Sequence, residues 1–252
     1  MRQNLPSFPG TDFAARADIL SQQHRRVRLA AARFTLKKTR ILLADDYAVV
    51  RCGIRVLIER ESGWEVCGEA ETGREAVKLS RQLQPDVVVL DIGMPELNGI
   101  DAARQIKRAR PETEILIFSS NESEQLVREV FEAGARGYLS KSDASVHVIH
   151  AIESLILGRP YFSRRISEMV FSNYIAGAIG AGSDGAANRL SGREREIVQL
   201  LCEGATNKVA GAKLGLSVQT IETHRKNIMS KLDLNAFSEL VVYAVRHQII
   251  EA

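Results

Sequence analysis

The chain has 252 residues, of which 45% are hydrophobic and 26% charged, and its formal net charge is +3. That length fits one large domain or two ordinary ones, and the composition is globular rather than fibrous or disordered. No apolar run approaches the roughly 18 residues that span a bilayer. MRQNLPSFPG lacks the apolar core of a secretory signal, and three widely spaced cysteines (Cys52, Cys67, Cys202) offer neither a disulfide framework nor a CxxC zinc site. A reducing cytoplasm is the expected compartment.

Charge is distributed unevenly. Residues 1–40 hold nine Lys/Arg against two acids (+7), residues 41–188 sixteen against twenty-two (−6), and residues 189–252 nine against seven (+2). An acidic middle between basic ends points to separate modules. Residues 1–38 are read as a basic, disordered extension. ARADILSQQHRRVRLAAARF also has the make-up of a basic amphipathic helix for nucleic acid or acidic lipid. Its Arg-rich, acid-poor composition is shared with transit peptides, a reading the rest of the chain disfavours.

From 39 to 157, short β-rich apolar runs alternate with segments of helical spacing. Strands are expected at Arg40–Ala44, Glu65–Ala70, Asp86–Leu90, Glu114–Phe118 and Gly137–Leu139. Helices are expected at Val49–Glu59, Arg74–Gln82, Ile100–Arg110, Glu124–Ala133 and Ala144–Leu157. Five strands alternating with five helices predict an α/β, doubly wound, five-stranded parallel sheet. ILLA and VVVL are apolar throughout, as in strands buried on both faces. Residues 158–188 are read as a linker, with a short helix around 164–174 and the glycine-rich AGAIGAGSDGAAN. Residues 189–252 read as helices only. Ser191 with Glu194 forms a capping box, Thr206 caps a second helix that Gly215 ends, and Ser217 opens a third, Val218–Leu232, before a fourth at Phe237–His247. Short helices joined by a tight glycine turn make a helix-turn-helix within an all-α four-helix domain.

Ligands of open α/β sheets bind beyond the carboxyl ends of the strands. Those ends carry Asp45 and Asp46, then Asp91, then Ser119, with Lys141 after the fifth strand. Three carboxylates sharing a small site call for a compensating cation. Oxygen-only ligands favour a hard, hydrated ion such as Mg²⁺. With it bound, Asp91 can act as a nucleophile toward phosphorus, forming an acyl phosphate. Lys141 and the Ser119 hydroxyl are suited to the phosphoryl oxygens. A lone acid at a strand end is usually a solvated loop residue or helix cap. The conjunction at four strand ends favours the reactive reading.

Asp45–Asp46, VVVLDIGMPELNGID, ILIFSS and EAGARGYLSK resemble the receiver domain of bacterial two-component response regulators, over roughly residues 39–157. The resemblance implies that Asp91 accepts a phosphoryl group from a cognate histidine kinase. It implies that Mg²⁺ is bound by Asp45, Asp46, Asp91 and the Gly93 backbone carbonyl. It also implies that Ser119 and Tyr138 are switch residues and that Lys141 is the phosphoryl-binding lysine. Ser119 stands where threonine is commoner, and Tyr47 where this subgroup often has histidine.

LSGREREIVQLLCEGATNKVAGAKLGLSVQTIETHRKNIMSKLDL resembles the LuxR-type helix-turn-helix, which together with a receiver is the NarL/FixJ architecture. On Val218–Leu232, Ile221, Ile228 and Leu232 share one face for the bundle core. Glu222, Thr223 and Lys226 are expected near base edges. Lys208, Thr220, His224 and Arg225 are expected near phosphates. The +2 of this segment is modest for a DNA binder, so the family pattern rather than charge carries the reading.

The expected function is a phosphorylation-controlled, cytoplasmic transcription regulator that binds a two-half-site operator as a homodimer, with no membrane partner and no conventional catalytic activity. Two rivals are a phosphohydrolase using Asp91 and a relay protein whose C-terminal helices bind protein. The first lacks an acid two residues after Asp91, where Gly93 stands. Salt-sensitive DNA binding would argue against the second.

Overall fold

The computed structural model describes residues 38–121, 123–168 and 190–250. The extension at 1–37 and the glycine-rich segment lie outside the described residues, as does most of the helix expected at 164–174, of which 164–168 are helical.

β1 (Thr39–Ala44), α1 (Ala48–Ile58), β2 (Trp64–Ala70), α2 (Gly73–Leu83), β3 (Val87–Leu90), α3 (Gly99–Ala109), β4 (Glu114–Ser119), α4 (Glu124–Glu132), β5 (Gly137–Ser140) and α5 (Ala144–Ile156) follow in strict alternation. Polar side chains start three of these helices. Thr72 accepts from the Glu75 N–H, Asn98 from Asp101 and Ser123 from Leu126, satisfying donors that the first helical turn leaves free.

The strands are all parallel, in the order β2-β1-β3-β4-β5. Successive side chains point to opposite faces. Ile41, Leu43, Val87, Val89, Leu116, Phe118 and Leu139 therefore meet Ile54 and Ile58 of α1 and Val148 and Ile152 of α5. Leu42, Val88, Leu90, Ile115, Ile117 and Tyr138 meet Val77 of α2, Ile100 and Ile106 of α3, and Val127 and Val130 of α4. No residue of β3 is more than 2% exposed. Burying each such side chain contributes roughly 1.5–3 kcal/mol before ordering costs, enough to fix this strand at the sheet centre.

The five-stranded expectation needs one correction. A sixth strand, β6 (Tyr161–Phe162), pairs parallel with β5. The Tyr161 N–H donates to the Arg136 carbonyl (3.0 Å) and the Ser163 N–H to the Tyr138 carbonyl (3.2 Å). Two residues are too few to show an alternating pattern. This strand exists because the edge of β5 presents unpaired backbone groups to it.

The C-terminal helices are α6 (Gly192–Cys202), α7 (Asn207–Leu214), α8 (Val218–Leu232) and α9 (Phe237–Arg246). The Ser191–Glu194 capping box opens α6, Gly215 ends α7 at φ 65°, and Ser217 accepts from the Thr220 N–H to start α8. Ile197, Leu200 and Leu201 of α6, Leu214 of α7, Ile221 and Ile228 of α8 and Leu240 of α9 form a separate core, with Leu232 partly buried against it. Sheet and helices belong to one unit, Thr39–Ala252.

Candidate functional site

The carboxyl edge of the sheet gathers the acids. The Asp91 N–H donates to the Ala44 carbonyl at 2.8 Å, which locks the end of β3 beside the end of β1. Asp91 is 4% exposed and Asp45 3%, while Asp46 is exposed at the rim. One carboxylate oxygen from each lies within 4.8 Å of the others. The loop behind Asp91 is shaped by its glycine. A Cβ on Gly99 would stand 1.9 Å from the Asp91 carbonyl oxygen, so only glycine lets α3 begin there. The Gly99 N–H closes the loop on the Ile92 carbonyl at 2.9 Å.

Lys141 Nζ bridges two of the acids, 2.8 Å from Asp45 Oδ2 and 3.0 Å from Asp91 Oδ2. The other Asp91 oxygen accepts from the Ile92 N–H at 2.8 Å, and Asp45 Oδ1 from the Tyr47 N–H at 2.8 Å. Burial pushes the Asp91 carboxyl up to about 6; Lys141 opposes the shift and Asp45 adds to it. Partial burial, then the Asp45 charge, also raises Asp46. Burial works against the Lys141 ammonium, but Asp45 and Asp91 outweigh it and hold its pKa above the ordinary lysine value. Three carboxylates facing one ammonium leave excess negative charge on oxygen donors alone, a set suited to a hard divalent cation. The donors present thus fit Mg²⁺ chemically.

Ser119 ends β4, 2% exposed, and its hydroxyl oxygen accepts from the Asn121 N–H at 3.2 Å. Tyr138 is fully buried, and its hydroxyl donates to the Asn121 carbonyl. Ser119 and Tyr138 thus bond the backbone of the same residue, one at its N–H and the other at its carbonyl. Gly93 lines a cavity with Asp46, Tyr47 and Ser119, whose far wall is Gln199, Cys202 and Val245 of the helical domain.

Sequence reasoning missed two groups. Arg51 of α1 is 6% exposed beneath the acids, and its guanidinium donates to the Asp45 carbonyl at 2.7 Å. A sequence signal existed, since Arg51 shares the inward stripe of α1 with Ile54 and Ile58. The second group joins the two domains. Arg195 Nε lies 3.0 Å from both oxygens of Asp101, and Nη2 lies 2.7 Å from Oδ1. The Gln199 amide accepts from the Asn98 N–H (2.7 Å) and donates to the Met94 carbonyl (2.9 Å), grasping the loop that follows Asp91. Glu196 receives Arg74 of α2 at 3.2 Å and Gln105 of α3 at 2.8 Å. These partners are some 90 to 120 residues apart, so no local pattern announces them.

On α8, Glu222, Thr223, Arg225 and Lys226 are exposed, as is Lys208 of α7, while Thr220 and His224 are half-buried. Three of the seven have contacts within the domain. The Thr223 hydroxyl donates to the Gln219 carbonyl (2.9 Å), the Thr220 and Ser217 hydroxyls are hydrogen-bonded (2.8 Å), and the Arg225 guanidinium rests over the Phe237 ring at 5.2 Å. Besides the α6 contacts between the domains, Lys213 of α7 pairs with Glu96 at 2.7 Å, while Glu222, Thr223, Arg225 and Lys226 of α8 stay exposed.

Among the described residues no helix is long and apolar enough to cross a membrane. Residues 41–153 match the family described as "Response regulator receiver domain", and residues 188–244 match "Bacterial regulatory proteins, luxR family". The chain is 35% identical to the transcriptional regulatory protein LiaR of Bacillus subtilis over 84% of its own length and 99% of that protein. A crystal structure of a LuxR-family two-component response regulator from Aurantimonas sp. is 38% identical at a TM-score of 0.53, over 55% of this chain and 99% of that one. A structure of the two-component response regulator RcsB–DNA complex is 25% identical at a TM-score of 0.50, over 82% of this chain and 97% of that one.

Proposed function

This chain belongs to the response regulators that join a receiver domain to a LuxR-type helix-turn-helix, and on that premise we propose that Asp91 is its phosphoryl acceptor. It is a transcription regulator with a LuxR-type DNA-binding domain. The observation that carries the finer reading is the contact of Asp91 with Lys141 beside Asp45 and Asp46, four side chains from three strand ends gathered at one point.

The donor is a phosphohistidine of a cognate kinase. An Asp91 carboxylate oxygen attacks phosphorus, an O–P bond forms, the P–N bond breaks, and the imidazole leaves with the electron pair. Asp45, Asp46, Asp91 and the Gly93 carbonyl would hold Mg²⁺, which supplies neutralising charge to the phosphoryl oxygens when bound. Lys141, now paired to Asp91, takes one phosphoryl oxygen, and the Ser119 hydroxyl donates to another. Drawing Ser119 toward the phosphoryl group disturbs its bond to Asn121, which also receives Tyr138. The receiver is an acceptor rather than a conventional enzyme.

The chain is read as an N-terminal extension (1–38), a receiver (39–157), a linker (158–188) and a DNA-binding domain (189–252). A single reading helix contacts little DNA, so a dimer on two half-sites is proposed, with Glu222, Thr223 and Lys226 toward bases and Lys208, Thr220, His224 and Arg225 toward phosphates. The test is incubation with acetyl phosphate and Mg²⁺ followed by intact-mass measurement. One phosphoryl group should add to the wild type and none to Asp91→Ala. Labelling of Asp91→Ala would remove the assignment.

A further inference from the structure

We infer that Arg51 is a positioning residue for the acidic site: its guanidinium holds the Asp45–Asp46 peptide in the orientation that cation binding requires. The inference rests on the proposed role of Asp45 and Asp46 as Mg²⁺ ligands.

Arg51 reaches the backbone of the acids rather than their carboxylates. It sits one turn into α1, 6% exposed, where the stripe otherwise buries Ile54 and Ile58. Burying a guanidinium there is costly unless its donors are satisfied. Each of its three nitrogens has its own acceptor. Nη1 donates to the Asp45 carbonyl at 2.7 Å, Nε to Glu69 Oε2 at 3.1 Å and Nη2 to Glu71 Oε1 at 2.6 Å. Glu69 belongs to β2 and is held in turn by Arg55, whose Nε lies 2.7 Å from its other oxygen. The fork therefore ties the loop after β1 to the end of β2.

The Asp45 carbonyl belongs to the peptide that also carries the Asp46 N–H. Fixing that oxygen fixes the peptide plane, because the amide is rigid. The plane sets the directions in which the Cβ atoms of Asp45 and Asp46 leave the backbone. Asp46 is exposed, and among the described residues none braces it by an ion pair the way Lys141 braces Asp45. The alignment of Asp46 therefore depends on its backbone, and its backbone depends on Arg51. Glu59, Glu69 and Glu71 face Arg51 and Arg55, so the anchor adds no net cation that would compete with a metal. Lysine cannot replace it, since an ammonium lacks the planar fork that reaches three acceptors in fixed directions. Groups behind ligands typically affect metal affinity by about 10- to 100-fold.

The test is Mg²⁺ titration of the full chain by calorimetry, with labelling by acetyl phosphate measured across Mg²⁺ concentrations. Arg51→Lys should weaken Mg²⁺ binding by about tenfold or more. Its labelling rate should recover toward the wild-type value when Mg²⁺ saturates, a split that a general loss of structure does not give. Glu71→Gln, at an exposed partner of the fork, should weaken binding severalfold. Glu59→Gln, whose side chain pairs with Arg55 and, among the described residues, not with Arg51, should leave it unchanged. If Arg51→Lys fails to fold, the Glu71→Gln and Glu59→Gln pair decides. Equal Mg²⁺ affinities in Glu71→Gln and wild type, or in a folded Arg51→Lys and wild type, would overturn the inference. Failure of Asp46→Asn to weaken Mg²⁺ binding would overturn the metal-site reading itself.

Discussion

Gly99→Ala tests whether the acceptor loop is held by backbone contact. The new Cβ would lie 1.9 Å from the Asp91 carbonyl oxygen, 2.8 Å from its carbon and 2.9 Å from Ile92 Cα. Ordinary contact begins near 3.4 Å, so the start of α3 must retreat by about 1.5 Å. All three neighbours are backbone atoms, so no rotamer change relieves the clash. Overpacking of this kind costs about 1–3 kcal/mol. With a urea slope of about 2 kcal/mol per molar, the midpoint should fall by about 0.5–1.5 M. The single tryptophan, Trp64, packs against the α1/α5 side of the sheet and reports this domain's unfolding by fluorescence. Labelling by acetyl phosphate should slow too, since the retreat pulls on Asp91. Gly53→Ala is the control. Gly53 lies inside α1, and a Cβ added there would meet nothing within 4 Å, so the same change should stabilise by about 0.5–1 kcal/mol. Gly99→Ala with an unshifted midpoint and unchanged labelling would refute the reasoning.

Three further outcomes are expected. Asp91 titrates near 6 when folded, above its ordinary 3.8, chiefly through burial. The folded state then holds more protons than the unfolded one between those values, so the carboxylate penalises folding increasingly as pH rises through that window and fully above it. In EDTA, Asp91→Asn should therefore be more stable than wild type at pH 7 and lose that advantage by about pH 4; a pH-independent difference in urea midpoints would contradict this. Arg195→Met leaves the buried Asp101 without its interdomain partner. Gln199, Glu196 and Lys213 still bridge the domains, so the population should shift only partly toward separated domains, seen as a larger radius of gyration in small-angle scattering, and an unchanged profile would rule out this contact as a latch. Lys226→Ala should alter which operator sequences are preferred, whereas Lys208→Ala should weaken all DNA alike and reduce the salt slope by about one. Equal effects of both substitutions on every sequence would remove the division between base and phosphate contacts.

Much of the architecture is local in origin. ILLA and VVVL cannot be half-exposed, so they made a two-sided parallel sheet legible, and the caps at Ser191, Thr206 and Ser217 marked helix starts directly. The alternation of five strands with five helices was legible, but the strand order was not, nor was β6, whose two residues carry no period. The acids at the strand ends were legible once the strands were. Arg51 was visible as a charge in an apolar stripe, yet its acceptors lie 6, 18 and 20 residues away, and only the fold shows that one of them is the Asp45 carbonyl.

VVVLDIGMPELNG, by itself, determined a buried strand that ends in a carboxylate and a glycine at the start of a helix, since hydrophobic period and backbone freedom are properties of neighbours in the chain. Tertiary structure alone decided that Lys141 would sit 3.0 Å from Asp91, and that Gln199 would hold both the Met94 carbonyl and the Asn98 N–H. Those contacts close across 50 to 105 residues. At that range the chain's own periodicity carries no information, and only the packing of one element on another sets which side chains meet.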